Sequence, residues 1–136
     1  MRYAVIDTNV LVSAQMTRHD DSATRLVVRF IFDGHVTPIV THTILAEYRE
    51  VLSRPKFHFR QDVADTIISH FSKYGRLVEP TPYAKPLSDE KDRAFLEAAL
   101  SLFDQGAMLV TGNAKHFPPA PFVVTPAAFI ALLKNA

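Results

Sequence analysis

Tyr3-Ala4-Val5-Ile6 is a short apolar run that stops at Asp7-Thr8-Asn9 before apolar sequence resumes at Val10-Leu11-Val12. Small and β-favouring residues bounded by turn formers read as a buried strand. Asp, Thr and Asn are good helix N-caps, so Asp7 to Asn9 should make a strand-to-helix bend. The whole stretch from Met1 to Ser13 then places an acid at a strand exit, where parallel α/β sheets bind their ligands. Taken alone, Asp7 is equally well explained as the cap of the next helix.

The rest of the chain repeats the alternation. After a polar stretch, Thr17 to Ser22, helical spacing joins Ala23, Leu26, Val27, Phe30 and Ile31 up to a stop at Gly34. Val36 to Val40 reads as a second strand, with Pro38 tolerated near an edge or at the strand start. Thr41 is the expected cap of a helix with Ile44, Leu45, Tyr48, Val51 and Leu52 inward, and Glu47 borders that buried face. A third helix carries Val63, Ala64, Ile67, Ile68 and Phe71 to Gly75, and Arg76 to Glu79 reads as a third strand. Three prolines make Pro80 to Pro86 an extended surface connection.

Ser88-Asp89-Glu90 opens the next helix, with Phe95, Leu96, Ala99, Leu100 and Phe103 as its core stripe and Asp92 on the same face in the first turn. Gly106 to Thr111 is a fourth strand, broken by Gly112-Asn113, and Phe122 to Val124 a fifth. Thr125-Pro126 has the form of a helix start, and Phe129, Ile130, Leu132 and Leu133 close the core. Strands alternating with helices imply an α/β fold, a parallel sheet covered on both faces and joined by right-handed crossovers.

A chain of 136 residues that is 48% apolar is sized for one domain, residues 1–136, with a real core. Zero cysteines exclude a disulfide framework and a thiolate metal site, so any metal must use oxygen or imidazole. His35, His42, His58 and His70 lack paired ligand spacing, which argues against zinc, and His116 in a Lys-His-Phe loop reads as structural or surface. No signal-peptide pattern opens the chain and no apolar run reaches the roughly 18 to 20 residues of a membrane span, so a cytoplasmic protein is expected. With a net charge of +1, a nucleic-acid partner needs a local basic patch.

Three carboxylates fall at comparable places: Asp7 after strand one, Glu47 on the helix after strand two, and Asp92 at the start of the helix before strand four. Asn113 follows strand four. Each has a bland explanation as a cap, a solvated helix residue or a turn. Together they form a cluster whose mutual repulsion calls for Mg²⁺ or Mn²⁺.

The chain here resembles the PIN domain, in particular the short prokaryotic PIN proteins described as toxins of toxin-antitoxin pairs. The resemblance rests on Val5-Ile6-Asp7-Thr8-Asn9-Val10, Glu47-Tyr48-Arg49-Glu50-Val51-Leu52, Asp92 to Ala99 and Leu109 to Phe117, in that order, and covers nearly the whole chain. It implies a three-layer α/β/α sandwich around a five-stranded parallel sheet, and a metal-dependent endoribonuclease acting on single-stranded RNA. It also implies Asp7, Glu47 and Asp92 as metal ligands, a cognate antitoxin, and self-association as a dimer. Asn113 stands where many relatives carry Asp, and an amide adds no charge for a second ion.

The chemistry that follows is hydrolysis of a phosphodiester by water. Asp7 and Asp92 would hold the ion, Glu47 would complete the shell, Thr8 and Asn9 would orient Asp7, and Thr111 and Asn113 would line the opposite wall. Arg49, Arg54, Lys56, His58 and Arg60, with Phe57 and Phe59 among them, would guide an RNA backbone and stack an unpaired base. Haloacid-dehalogenase-like phosphatases also place an aspartate after strand one, but they need a second acid two residues on, where this chain has Asn9. A non-catalytic RNA- or protein-binding module is the remaining alternative, with Asn113 as its main support.

Overall fold

The computed structural model describes residues 2–135; Met1 and Ala136, the ends of the expected 1–136 unit, lie outside the described residues. Five strands, β1 (Tyr3–Ile6), β2 (Thr37–Val40), β3 (Arg76–Leu77), β4 (Met108–Val110) and β5 (Val123–Val124), pair in parallel in the order β3-β2-β1-β4-β5. Between and after them run α1 (Thr8–Met16), α2 (Ala23–Phe32), α3 (His42–Leu52), α4 (Gln61–Tyr74), α5 (Arg93–Ser101) and α6 (Pro126–Lys134). Successive strand residues face opposite sides of a sheet, yet Ala4, Val5 and Ile6 are all buried, so helices cover both faces. This is the expected α/β/α sandwich, and one apolar cluster runs through it from Ala4 to Ile130.

The order of the strands places the cleft. The chain steps from β1 out to β2 and β3, then returns to the other side of β1 for β4 and β5. The order thus reverses at β1, and the space beyond the carboxyl ends of β1 and β4 is the crevice such sheets use for ligands. Asp7 and Thr111 are the first residues past those two ends.

Local chemistry explains most boundaries. Ser22, Thr41 and Thr125 each accept a backbone N–H three residues on, from Arg25, Ile44 and Ala128, and so start α2, α3 and α6. Pro38 sits inside the sheet, at the second residue of β2. The Thr37 N–H points to the Arg2 carbonyl on the β1 side, so position 38 faces β3, whose pairing begins only at Ile39. No ladder bond is therefore lost.

Several residues expected in the core lie at the surface. Phe103 falls past the end of α5 in a 3-10 turn, is 55% exposed, and packs edge-on against Phe122. Leu132 faces outward while Phe129 and Ile130 carry the buried side of α6. Val63, in the first turn of α4, lines a surface cavity instead of the core. Ser88 does not open α5: Asp89 caps a short 3-10 turn, Glu90–Asp92, by accepting the Lys91 N–H, and α5 follows from Arg93.

Candidate active site

Asp7 is buried at 6% exposure, at the N-terminus of α1, yet its side chain makes no capping hydrogen bond. Asp92, at the start of α5, makes none either. The bland explanation of both acids is therefore set aside. The Asp7 carboxylate instead accepts from the Thr111 hydroxyl at 2.7 Å and the Asn9 side-chain amide at 3.2 Å.

Those partners belong to a net across the crevice. Asn9 also accepts the Gly112 N–H at 3.0 Å, and the fully buried Thr111 accepts the Asn113 N–H at 3.0 Å. The bend after β1 is thus bonded directly to the loop after β4. Thr8 acts differently from expectation: its hydroxyl donates to Glu47 on α3. Thr8 and Glu47 therefore tie the β1 exit to α3.

The carboxylates sense one another. Burial, and then the charges of Asp92 and Glu47, push the Asp7 carboxyl up from an ordinary value of 3.8 to about 6, against the pull of the Thr111 hydrogen bond. Burial, Asp89 and Glu47 also raise Asp92, while nearby His116 draws it down. Each acid is thus a less comfortable anion than it would be in water, and a cation among them would relieve both. Among the described residues, however, no three His, Cys, Asp or Glu side chains are gathered closely enough to hold a metal ion as they stand. The donor set itself suits a hard divalent ion, since it offers carboxylate, hydroxyl and amide oxygens and no thiolate.

A model of the PIN domain matches residues 3–115, a span that contains Asp7, Glu47, Asp92 and Asn113 together with the strand ends that place them. The chain belongs to the PIN domain family. Proteins of this family are generally nucleases and typically use divalent metal ions. No curated protein is similar enough to the chain to count as a match. The matched span ends before β5 and α6, which nonetheless pack into the same sheet and core in this PIN domain.

Other anticipated residues lie farther out. The Asn113 side chain is exposed, and only its backbone is tied into the net, through Thr111. Arg49 is exposed on α3; Arg54 pairs with Glu50 at 2.9 Å and Arg60 with Asp62 at 2.6 Å, so much of their charge is spent locally. Lys56 lies over the Phe57 ring, which stacks on Phe59 at 5.1 Å between centroids. A cavity of about 740 Å³ lies elsewhere, between α2 and α4, and Gln15 Oε1 is buried in its lining without a hydrogen-bond partner.

Sequence reasoning read Tyr48 as core alone and missed its hydroxyl. Tyr48 is 0% exposed and donates to the Ile6 carbonyl at 2.5 Å, one residue before Asp7. Burial, then Asp7 and Glu47, hold its proton on well above the usual phenol range. A tyrosine in an apolar helical stripe is the available signal, because a buried phenol must find a partner.

Proposed function

We propose that this PIN domain, over its 136 residues, is a Mg²⁺- or Mn²⁺-dependent endoribonuclease that hydrolyses phosphodiester bonds in single-stranded RNA. The observation that carries the reading is Asp7: a buried carboxylate at the sheet's reversal point, made a poor anion by burial and by Asp92 and Glu47. Asp7 and Asp92 would hold the ion, with Glu47 reaching it once turned from Thr8. A divalent ion held there would polarise a phosphoryl oxygen and make a water a stronger nucleophile at neutral pH. Thr111 and Asn9 fix the Asp7 carboxylate, while the stacked Phe57 and Phe59 with Lys56 offer a face for an unpaired base.

Cleavage of a fluorescent single-stranded RNA with Mn²⁺, with and without EDTA, tests the activity. Asp7→Asn and Asp92→Asn should each abolish it; wild-type, EDTA-sensitive cleavage by both variants would sink the assignment. The second reading, a non-catalytic binding module, is favoured by the exposed Asn113 and by carboxylates that do not already converge. Calorimetric titration with Mn²⁺ separates the two, since a pure interaction module has no reason to bind it.

The role proposed in the cell is that of a toxin held by a small antitoxin, located in the cytoplasm. An antitoxin would inhibit most simply by placing a basic side chain among the carboxylates, so inhibition should weaken as metal rises. Growth arrest on expression, relieved by a neighbouring reading frame, is the expected result; no arrest from verified soluble protein favours the binding module. Self-association as a dimer is supported by Tyr74 and Leu77, 60% and 54% exposed beside the edge strand β3. Sedimentation equilibrium would test it.

A further inference from the structure

We infer that Tyr48 is the positioning residue that sets Asp7 relative to Glu47 and Asp92. The inference rests on the nuclease reading for its functional meaning, but its geometry stands apart from it. One side chain touches all three acid-bearing elements. Its backbone adjoins Glu47 on α3, its hydroxyl donates to the Ile6 carbonyl at the end of β1, and its ring packs on Phe95 of α5, 6.4 Å between centroids. Phe95 lies one helical turn beyond Asp92. The same ring also meets Phe71 of α4 edge-on at 5.8 Å.

The hydroxyl is not needed to fill space, since phenylalanine would occupy the same hole. It answers a local shortage in the sheet. β1 and β2 pair at Tyr3 with Thr37 and at Ala4 with Pro38, and Thr41 has already left the strand to cap α3. The Ile6 carbonyl therefore lies past the paired part of β1 and β2, and Tyr48 supplies the donor there. On its other side β1 stays paired through Ile6 with Val110, and the Asp7 N–H donates to the Val110 carbonyl. Asp7 is thus anchored to β4 by its own backbone and to α3 by Tyr48. Removing the Tyr48 donor leaves the strand end held to α3 only through the Thr8 hydroxyl and Glu47, and so looser relative to that helix.

The test compares Tyr48→Phe with Phe71→Leu, which loosens the same ring packing without touching Ile6. Three measurements are made on the full chain: amide hydrogen exchange at Asp7 and Thr8, Mn²⁺ affinity by calorimetry, and steady-state cleavage of a single-stranded RNA. Tyr48→Phe should speed exchange at Asp7 and Thr8 about 10-fold more than at other core amides. It should weaken Mn²⁺ binding roughly 10-fold and lower kcat by roughly 10- to 100-fold with KM unchanged, the range seen when groups behind a ligand are lost or a reacting group is slightly misplaced. Phe71→Leu should cost more thermal stability and change none of these locally. Tyr48→Phe with wild-type exchange at Asp7 overturns the inference, as does a Phe71→Leu variant with equal local losses. If the parent protein neither binds Mn²⁺ nor cleaves RNA, the nuclease reading fails, and exchange at Asp7 alone still decides the role of Tyr48.

Discussion

At Asp7 the balance between burial and charge has a measurable sign. Between the ordinary carboxyl value of 3.8 and about 6, the folded chain keeps a proton at Asp7 that the unfolded chain has released. Its contribution to stability is therefore greatest below about pH 4 and declines as pH rises to about 6, opposite to a salt-bridged carboxylate. Asp7→Asn should flatten the stability curve in that window and stabilise the protein by roughly 1–3 kcal/mol at pH 7, because an amide oxygen can still accept from Thr111. Denaturant titrations at pH 4, 5, 6 and 7 check it; parallel curves for variant and parent would refute the burial argument. Asn113 calls for a different substitution. Its side chain is exposed beside the net, so Asn113→Asp adds a charge near the carboxylates without a burial cost. Mn²⁺ should bind more tightly, and an unchanged dissociation constant would mean that position 113 lies outside the ion's reach.

The junction of α4 with β3 shows how closely the elements approach behind the site. A Cβ built on Gly75 would lie 2.3 Å from the Phe71 carbonyl oxygen and 2.8 Å from that of Pro38, both backbone atoms. Neither can swing away as a side chain would. Gly75→Ala should therefore cost about 2–3 kcal/mol by distorting the last turn of α4 and pushing it from β2, as over-packing does elsewhere. Thermal and denaturant unfolding would measure it, and a change below 0.5 kcal/mol, the scale of an ordinary surface substitution, would contradict the close approach. A glycine after a helix is usually read as a C-cap, and here its backbone is extended, with φ at −76° and ψ at 169°. The reason for glycine is space, taken up by the last turn of α4 itself and by Pro38 of β2.

For the molecule as a whole, ligand binding and folding are linked through the same carboxylates. A divalent ion that binds only the folded chain stabilises it by an amount set by concentration over affinity, about 2.7 kcal/mol at 100 times the dissociation constant. Protons compete for Asp7 up to about pH 6, so the rise in Tm with Mn²⁺ should be larger at pH 7.5 than at pH 5. Differential scanning calorimetry at both values checks it. An equal rise at both would place the ion away from Asp7.

Much of this PIN domain is legible in one dimension. Short apolar runs and period-3.6 stripes set the alternation of strand and helix, and Thr41 and Thr125 mark helix starts where the backbone needs an acceptor. Asp7 and Asp92 stand out as acids at element ends, and Glu47 as an acid beside a helix's buried stripe, in step with that alternation. What tertiary structure alone decided is which bonds those residues make. A local pattern cannot tell a capping aspartate from one held by Thr111, 104 positions away, nor show that the Thr8 hydroxyl turns to Glu47. It marks Phe103 as core by spacing, although the helix ends before the spacing does. It reads Tyr48 as one more apolar position, because the carbonyl that needs its hydroxyl is created only when β1 outruns its pairing with β2.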